Sequence, residues 1–232
     1  MKKDIMKFLP LYMIAIAVFL LVLSAGSRAV TAIAEAQPID RSLVVVIDAG
    51  HGGEDGGATS CTGVLESQIN LEIALRLNEM CHLLGYETKM IRTTDVSVYT
   101  QGTTLAAKKA SDLKKRVQLV NETENALLIS IHQNTFSDSR YAGAQVFFAN
   151  TSGSQELAQL LQHHVAKMDP GNHRRAKPAD HVYLMQHIQR TGVLIECGFL
   201  SNPDEEAKLR SDEYQKKLCA VIVTALGGYG NT

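Results

Sequence analysis

The stretch SLVVVIDAGHGGEDGGA, residues 42–58, decides how the rest of the chain is read. Leu43 to Ile47 is an apolar, largely β-branched run that ends at a turn, the pattern of a buried strand. Immediately after it, His51 stands among glycines at 50, 52, 53, 56 and 57. Those glycines let the backbone turn sharply and pass close to a ligand.

Downstream, Ile69, Ile73, Leu77, Met80 and Leu84 recur at steps of three and four until Gly85, which predicts a helix over Ser67–Leu84. Further strands are expected at Tyr86–Ile91, Ala126–Ile131, Ala144–Ala149 and Val193–Glu196. Helices are expected at Asp112–Glu124, Ser154–Met168 and Asp204–Tyr229, and residues 96–110 read as a mobile polar excursion. Strands alternating with helices imply a single α/β domain with a mostly parallel twisted sheet covered by helices on both faces.

The 232 residues suffice for one core and a short appendage, not a second large domain. A formal net charge of −1, with no long run of like charge, excludes the footprint of a nucleic-acid binder. Four scattered cysteines, Cys61, Cys81, Cys197 and Cys219, contain no C-x-x-C pair and encode neither a zinc knuckle nor a dithiol motif. A Cys61–Cys81 disulfide stays open at this point.

At the amino terminus, Lys2, Lys3 and Lys7 precede FLPLYMIAIAVFLLVLSAG, residues 8–26, which carries no charge. Residues 1–26 therefore read as an export signal or a membrane anchor, and residues 27–41 as a linker. Residues 42–232 are left as the catalytic domain, facing outward from the cytoplasm.

His51 follows the first strand, His132 follows Ala126–Ile131, and Glu196 ends Val193–Ile195. In an open α/β sheet the carboxyl ends of the strands form the ligand crevice, so these residues can converge there. Glu66 precedes the long helix, where a rigid element can aim its carboxylate. Three of these residues have a plainer reading. Glu66 can be a helix-terminal charge, His132 a satisfied structural histidine, and Glu196 a buried acid with an arginine or backbone partner. Two imidazoles and one carboxylate in one crevice would instead hold a zinc ion and leave its fourth position open. The apolar run before Glu196 would raise its pKa toward that of a general base.

The segments VVVIDAGHGGEDGGA (44–58), GVLESQINL (63–71), MIRTTD (90–95), LKKRVQLVN (113–121), LLISIHQN (127–134) and VLIECGFLSNPDEE (193–206) resemble the zinc-dependent N-acetylmuramoyl-L-alanine amidases of the type 3 family. That resemblance, from Leu43 to the carboxyl terminus, implies His51, Glu66 and His132 as ligands of one Zn²⁺ and Glu196 as the catalytic base. It implies peptidoglycan as substrate, cut between the muramic lactyl group and L-alanine, and it allows for an activating protein partner. A zinc peptidase of wall peptides, or a tethered wall-binding module without turnover, are the competing readings.

NHRRAKPADHVYLM (172–185) resembles the family's stretch facing the substrate, which implies Arg174 and Lys177 as contacts to peptidoglycan carboxylates. Its AKPADHVYL wording is similar to the spore-cortex branch, which prepares muramic-δ-lactam for germination. Two positions depart from the family pattern: Gln133, where alanine is usual, and Thr191-Gly192, where Pro-Ala is usual. Gln133 thereby becomes a candidate for substrate access beside the metal. Asp48 is read either as a carboxylate orienting a ligand histidine or as the cap of its own turn. Arg92, Asp95 and Arg116 are expected to form an ion-pair network.

Overall fold

The computed structural model describes residues 42–229. The expected export segment, 1–26, and linker, 27–41, lie outside the described residues. Among those described, no helix is long and apolar enough to cross a membrane.

Among the described residues six strands form one sheet: β1 (Val44–Ala49), β2 (Glu87–Met90), β3 (Ala126–Asn134), β4 (Gln145–Phe148), β5 (Lys177–Pro178) and β6 (Thr191–Phe199). Their spatial order is β2-β1-β3-β6-β4-β5. All pairings are parallel except β4 with β6. The helices are α1 (Glu66–Leu83), α2 (Leu105–Asn121), α3 (Ser154–Met168), α4 (Tyr183–His187), α5 (Pro203–Leu209) and α6 (Asp212–Gly228).

Side chains alternate across the sheet, which separates the core into two layers. Val45, Ile47, Ile129, Ile131 and Ile195 pack against Ile69, Ile73 and Leu77 of α1, Leu161 of α3 and Ile222 of α6. On the opposite face, Val46, Leu128 and Leu194 meet Val120 of α2 and Leu184, Met185 and Ile188 around α4. The expected helix-covered α/β sheet is what the chain forms.

Several boundaries differ from the sequence reading. The polar excursion at 96–110 is helical from Leu105, because the Thr104 hydroxyl caps α2 by accepting from the Ala107 N–H at 3.2 Å. The single helix expected over Asp204–Tyr229 is two: Asn202 caps α5, and Ser211 starts α6 afresh by accepting from the Tyr214 N–H. β3 runs past its expected end, so His132 lies within the strand rather than after it, and β6 continues beyond Glu196, its expected last residue, to Phe199. All four cysteines are free, Cys61 exposed and the other three buried, so the Cys61–Cys81 bond is not formed.

Candidate functional site

Three elements bring the expected ligands together. His132 sits on β3 in register with Glu196 on β6, both on the face covered by α2 and α4. Glu66 opens α1, and His51 leaves β1 on the glycine-rich loop with a positive φ of 60°, a conformation uncommon for a side chain of this size.

Glu66 spans the two imidazoles. Its Oε1 lies 2.9 Å from His132 Nδ1, and its Oε2 lies 3.3 Å from His51 Nε2. The His51, Glu66 and His132 donor atoms all fall within 4.8 Å of one another, which is the spacing of a shared cation. The same oxygens accept from the backbone N–H groups of Ala58 and Gln133 and from the Asn70 amide. Burial opposes the charge on Glu66, but the two imidazoles hold its carboxyl far below the usual carboxylate range. At His51 burial likewise works against the charged form, and Glu66 and then Asp55 raise its pKa.

Two glycines make this approach possible. A Cβ on Gly50 would stand 2.2 Å from His132 Nε2. One on Gly57, whose φ is +69°, would stand 2.6 Å from Glu66 Oε2.

Glu196 has the opposite environment. Its Oε2 is buried with no hydrogen-bond partner, and burial, reinforced by the neighbouring Glu66 charge, pushes its pKa up to about 7. An unpaired acid of that pKa facing an imidazole suits proton transfer near neutrality. The plainer reading of Glu196, an acid satisfied by an arginine or backbone, has no such partner here. A crevice of about 160 Å³ joins it to His51, His132, Asp55 and Lys109, with Leu113, Val182, Leu184 and Leu194 as an apolar wall. The donor set fits zinc: two imidazole nitrogens and one carboxylate.

Sequence reasoning missed Asp55, whose Oδ2 accepts from His51 Nδ1 at 2.9 Å while Lys109 Nζ lies 3.1 Å from the same carboxylate oxygen. The signal was available in the spacing His51-x-x-x-Asp55. Asn70, one helical turn after Glu66, was also missed; it donates to Glu66 Oε1 and to the Gly50 carbonyl.

Asp48 neither touches a histidine nor caps its own turn. It is buried, accepts from Ser130 Oγ at 2.7 Å, and pairs with Arg116, which in turn donates to the His51 carbonyl at 2.7 Å. The expected network of Arg92, Asp95 and Arg116 is rearranged. Arg116 pairs with Asp48 and Asp112, Arg92 donates to the carbonyls of Ala49, Gly50, Ser67 and Thr94, and Asp95 accepts from the Gly53 N–H. The two guanidinium groups satisfy the carbonyls of Ala49, Gly50 and His51 at the start of the glycine loop.

Gln133 is buried, with its amide donating to Asn70 and its backbone N–H to Glu66, so it buttresses the carboxylate. Arg174 donates to the Ala142 carbonyl and Gln145 Oε1 and lies over the Phe199 ring, while Lys177 is exposed on the edge strand β5. Neither basic residue lines the 160 Å³ crevice.

A mostly parallel sheet whose carboxyl edge gathers two imidazoles, one deeply acidic carboxyl and one of raised pKa defines an α/β domain with a candidate hydrolytic metal centre. Residues 45–227 match the family model described as N-acetylmuramoyl-L-alanine amidase, and the chain belongs to that family. It is 35% identical over 188 residues to the germination-specific N-acetylmuramoyl-L-alanine amidase of Bacillus subtilis (strain 168), covering 80% of this chain and 79% of the relative. Among solved structures, the CwlD amidase from Clostridioides difficile, in complex with the GerS lipoprotein, superposes with a TM-score of 0.77 at 35% identity, covering 81% of this chain and 98% of that one. The N-acetylmuramoyl-L-alanine amidase from Clostridium difficile 630 gives 0.71 at 30% identity, covering 83% and 99%. The chain is thus an amide hydrolase whose substrate is peptidoglycan.

Proposed function

We propose that His51, Glu66 and His132 hold one zinc ion and that Glu196 is the general base for hydrolysis of the muramoyl–L-alanine amide. The observation that carries this reading is the orphaned, buried Oε2 of Glu196 across the strand pair from a compact His–Glu–His cluster. A zinc ion bound there supplies Lewis-acid polarisation of the scissile carbonyl and a lower pKa for water.

Glu196 takes a proton from the attacking water as its oxygen bonds to the lactyl carbonyl carbon. The C–N bond breaks, and Glu196 returns the proton to the departing nitrogen of L-alanine. The products are a lactyl carboxylate and a free amino terminus. Leu113, Val182, Leu184 and Leu194 exclude water from one side of the carboxyl and keep its pKa high. Asp55 fixes the His51 ring so that Nε2 faces Glu66.

Residues 1–26 act as an export signal or anchor, 27–41 as a linker and 42–232 as the catalytic domain, which places the reaction outside the cytoplasm. The germination-specific relative supports a role in spore-cortex maturation through muramic-δ-lactam formation. The similar amidase solved with a lipoprotein supports dependence on an activating protein partner. Incubation with purified peptidoglycan tests the bond assignment. New L-alanine amino termini on intact stem peptides are expected, whereas cleavage within the peptides would replace the amidase by a wall peptidase.

A further inference from the structure

The carboxyl edge of the sheet also carries an aromatic shelf that the reaction centre does not use. Phe136 and Tyr141, in the loop between β3 and β4, are 50% and 45% exposed, with ring centroids 4.5 Å apart. Tyr141 continues to Phe199 at 6.1 Å, and the Arg174 guanidinium lies 4.6 Å from the Phe199 centroid. The loop is pinned: the Phe136 N–H donates to Ser201 Oγ, Asn202 Nδ2 to the Tyr141 carbonyl, and the Gly143 N–H to buried Glu205. Two adjacent, half-exposed rings on a fixed loop mark a contact surface rather than scattered surface apolarity.

This shelf is continuous with the reaction centre. His132 is in register with Glu196, but two residues later Asn134 is in register with Phe199, so β6 carries one extra residue between them. That bulge turns Phe199 onto the face that bears Glu196, roughly 10 Å further along the strand at about 3.3 Å per residue. Gln145, the β4 partner of Glu196, accepts from Arg174 at 3.1 Å and links the base to the shelf.

Beside the shelf opens a cleft of about 570 Å³, whose lining includes Ala142, Asn172, Arg174, Asn202 and Lys208. Ring faces suit the C–H face of a sugar, because their negative quadrupole attracts positive C–H edges. The amides and cations of the cleft suit its hydroxyls. The same cleft is also lined by Asp169 and Asp204, which would repel an acidic stem peptide and not an uncharged saccharide. We infer that Phe136, Tyr141 and the adjoining cleft form a saccharide subsite, seating a sugar of the glycan strand that flanks the scissile muramic acid. The inference rests on the amidase reading above.

The test titrates an oligomer of N-acetylglucosamine, which is uncharged and carries no peptide, into the zinc-loaded full chain by calorimetry. No scissile amide is present, so binding is read independently of turnover. The wild type is expected to bind, the double variant Phe136→Ala/Tyr141→Ala to weaken binding about tenfold or more, and Tyr141→Phe to retain most of it. On polymeric peptidoglycan the double variant is expected to lose about tenfold more kcat/KM than on a single-sugar muramoyl peptide, chiefly through KM. Thermal melting checks that truncating two half-exposed rings leaves the fold intact. A wild type that hydrolyses wall amides yet shows no glycan affinity overturns the subsite and leaves the amidase reading standing. Equal glycan affinity in wild type and double variant overturns it too, including the case in which the variant loses a protein partner instead. A wild type that binds glycan but hydrolyses neither substrate keeps the subsite and overturns the amidase reading.

Discussion

His51 Nδ1 and Asp55 Oδ2 lie 2.9 Å apart, so a carboxylate on the glycine loop orients the imidazole with Nε2 toward Glu66. Carboxylates in this position set the tautomer and basicity of a ligand histidine. Asp55→Ala is expected to weaken zinc binding about 10- to 100-fold in a chelator competition. Affinity equal to the wild type would remove Asp55 from the centre.

Gly57→Ala probes the space around Glu66. Its added Cβ would fall 2.6 Å from Glu66 Oε2 and 2.7 Å from His51, at a φ of +69° that L side chains rarely adopt. The expected outcome is loss of stoichiometric zinc and a stability decrease of about 1–2 kcal/mol. Full zinc occupancy in this variant would mean that the loop does not pack against His51 and Glu66 as described.

The Asp48–Arg116 pair is buried on both sides, so breaking it leaves a guanidinium partly uncompensated. Asp48→Asn is expected to cost about 3 kcal/mol in urea denaturation at pH 7. Burial opposes the Asp48 charge, but Arg116, with His132 and Ser130, brings its pKa below the ordinary 3.8. A depressed carboxyl pKa stabilises the fold above the ordinary value, and that contribution fades as pH falls through the lowered one. The gap between wild type and variant should therefore be constant from pH 6 to 8 and narrow below about pH 4. A gap unchanged into acid would show that the charge is not what stabilises.

Glu196 has the reverse sign. Its pKa rises on folding from 4.5 to about 7, so its ionisation destabilises the metal-free fold progressively as pH climbs between those values. Glu196→Gln should match the wild type below about pH 4.5 and exceed it by up to about 3 kcal/mol above pH 7. Added zinc should narrow the difference, because a nearby cation favours the charged carboxyl. Thermal melts across that pH range, with and without zinc, read the effect. A variant less stable than the wild type at pH 8 would contradict the buried, unpaired carboxyl.

The layered sheet was legible because β1 and β3 open on apolar runs, Val44–Ile47 and Ala126–Ile129, and α1 keeps a helical period up to Gly85. His51, His132 and Glu196 were placed at the sheet's edge by the same logic, whereas Glu66 was chosen over other acids by family resemblance and not by spacing. Periodicity failed where a single cap decides a boundary: Thr104 starts α2 within a polar stretch, and Ser211 restarts a helix that looked continuous. Side-chain pairing across the sheet was also hidden. Whether Arg116 meets Asp95 or Asp48 depends on which strand lies beside which, and the reach from Arg174 to Phe199 depends on a one-residue bulge in β6.

Zinc content and amide hydrolysis of the wild type, measured beside Glu196→Gln and His132→Ala, test the central claim most directly. The account predicts one zinc per chain in wild type and Glu196→Gln, a kcat roughly 10²–10⁴-fold lower in Glu196→Gln, and loss of the metal in His132→Ala. Undiminished turnover by Glu196→Gln, or full zinc occupancy in His132→Ala, would contradict it.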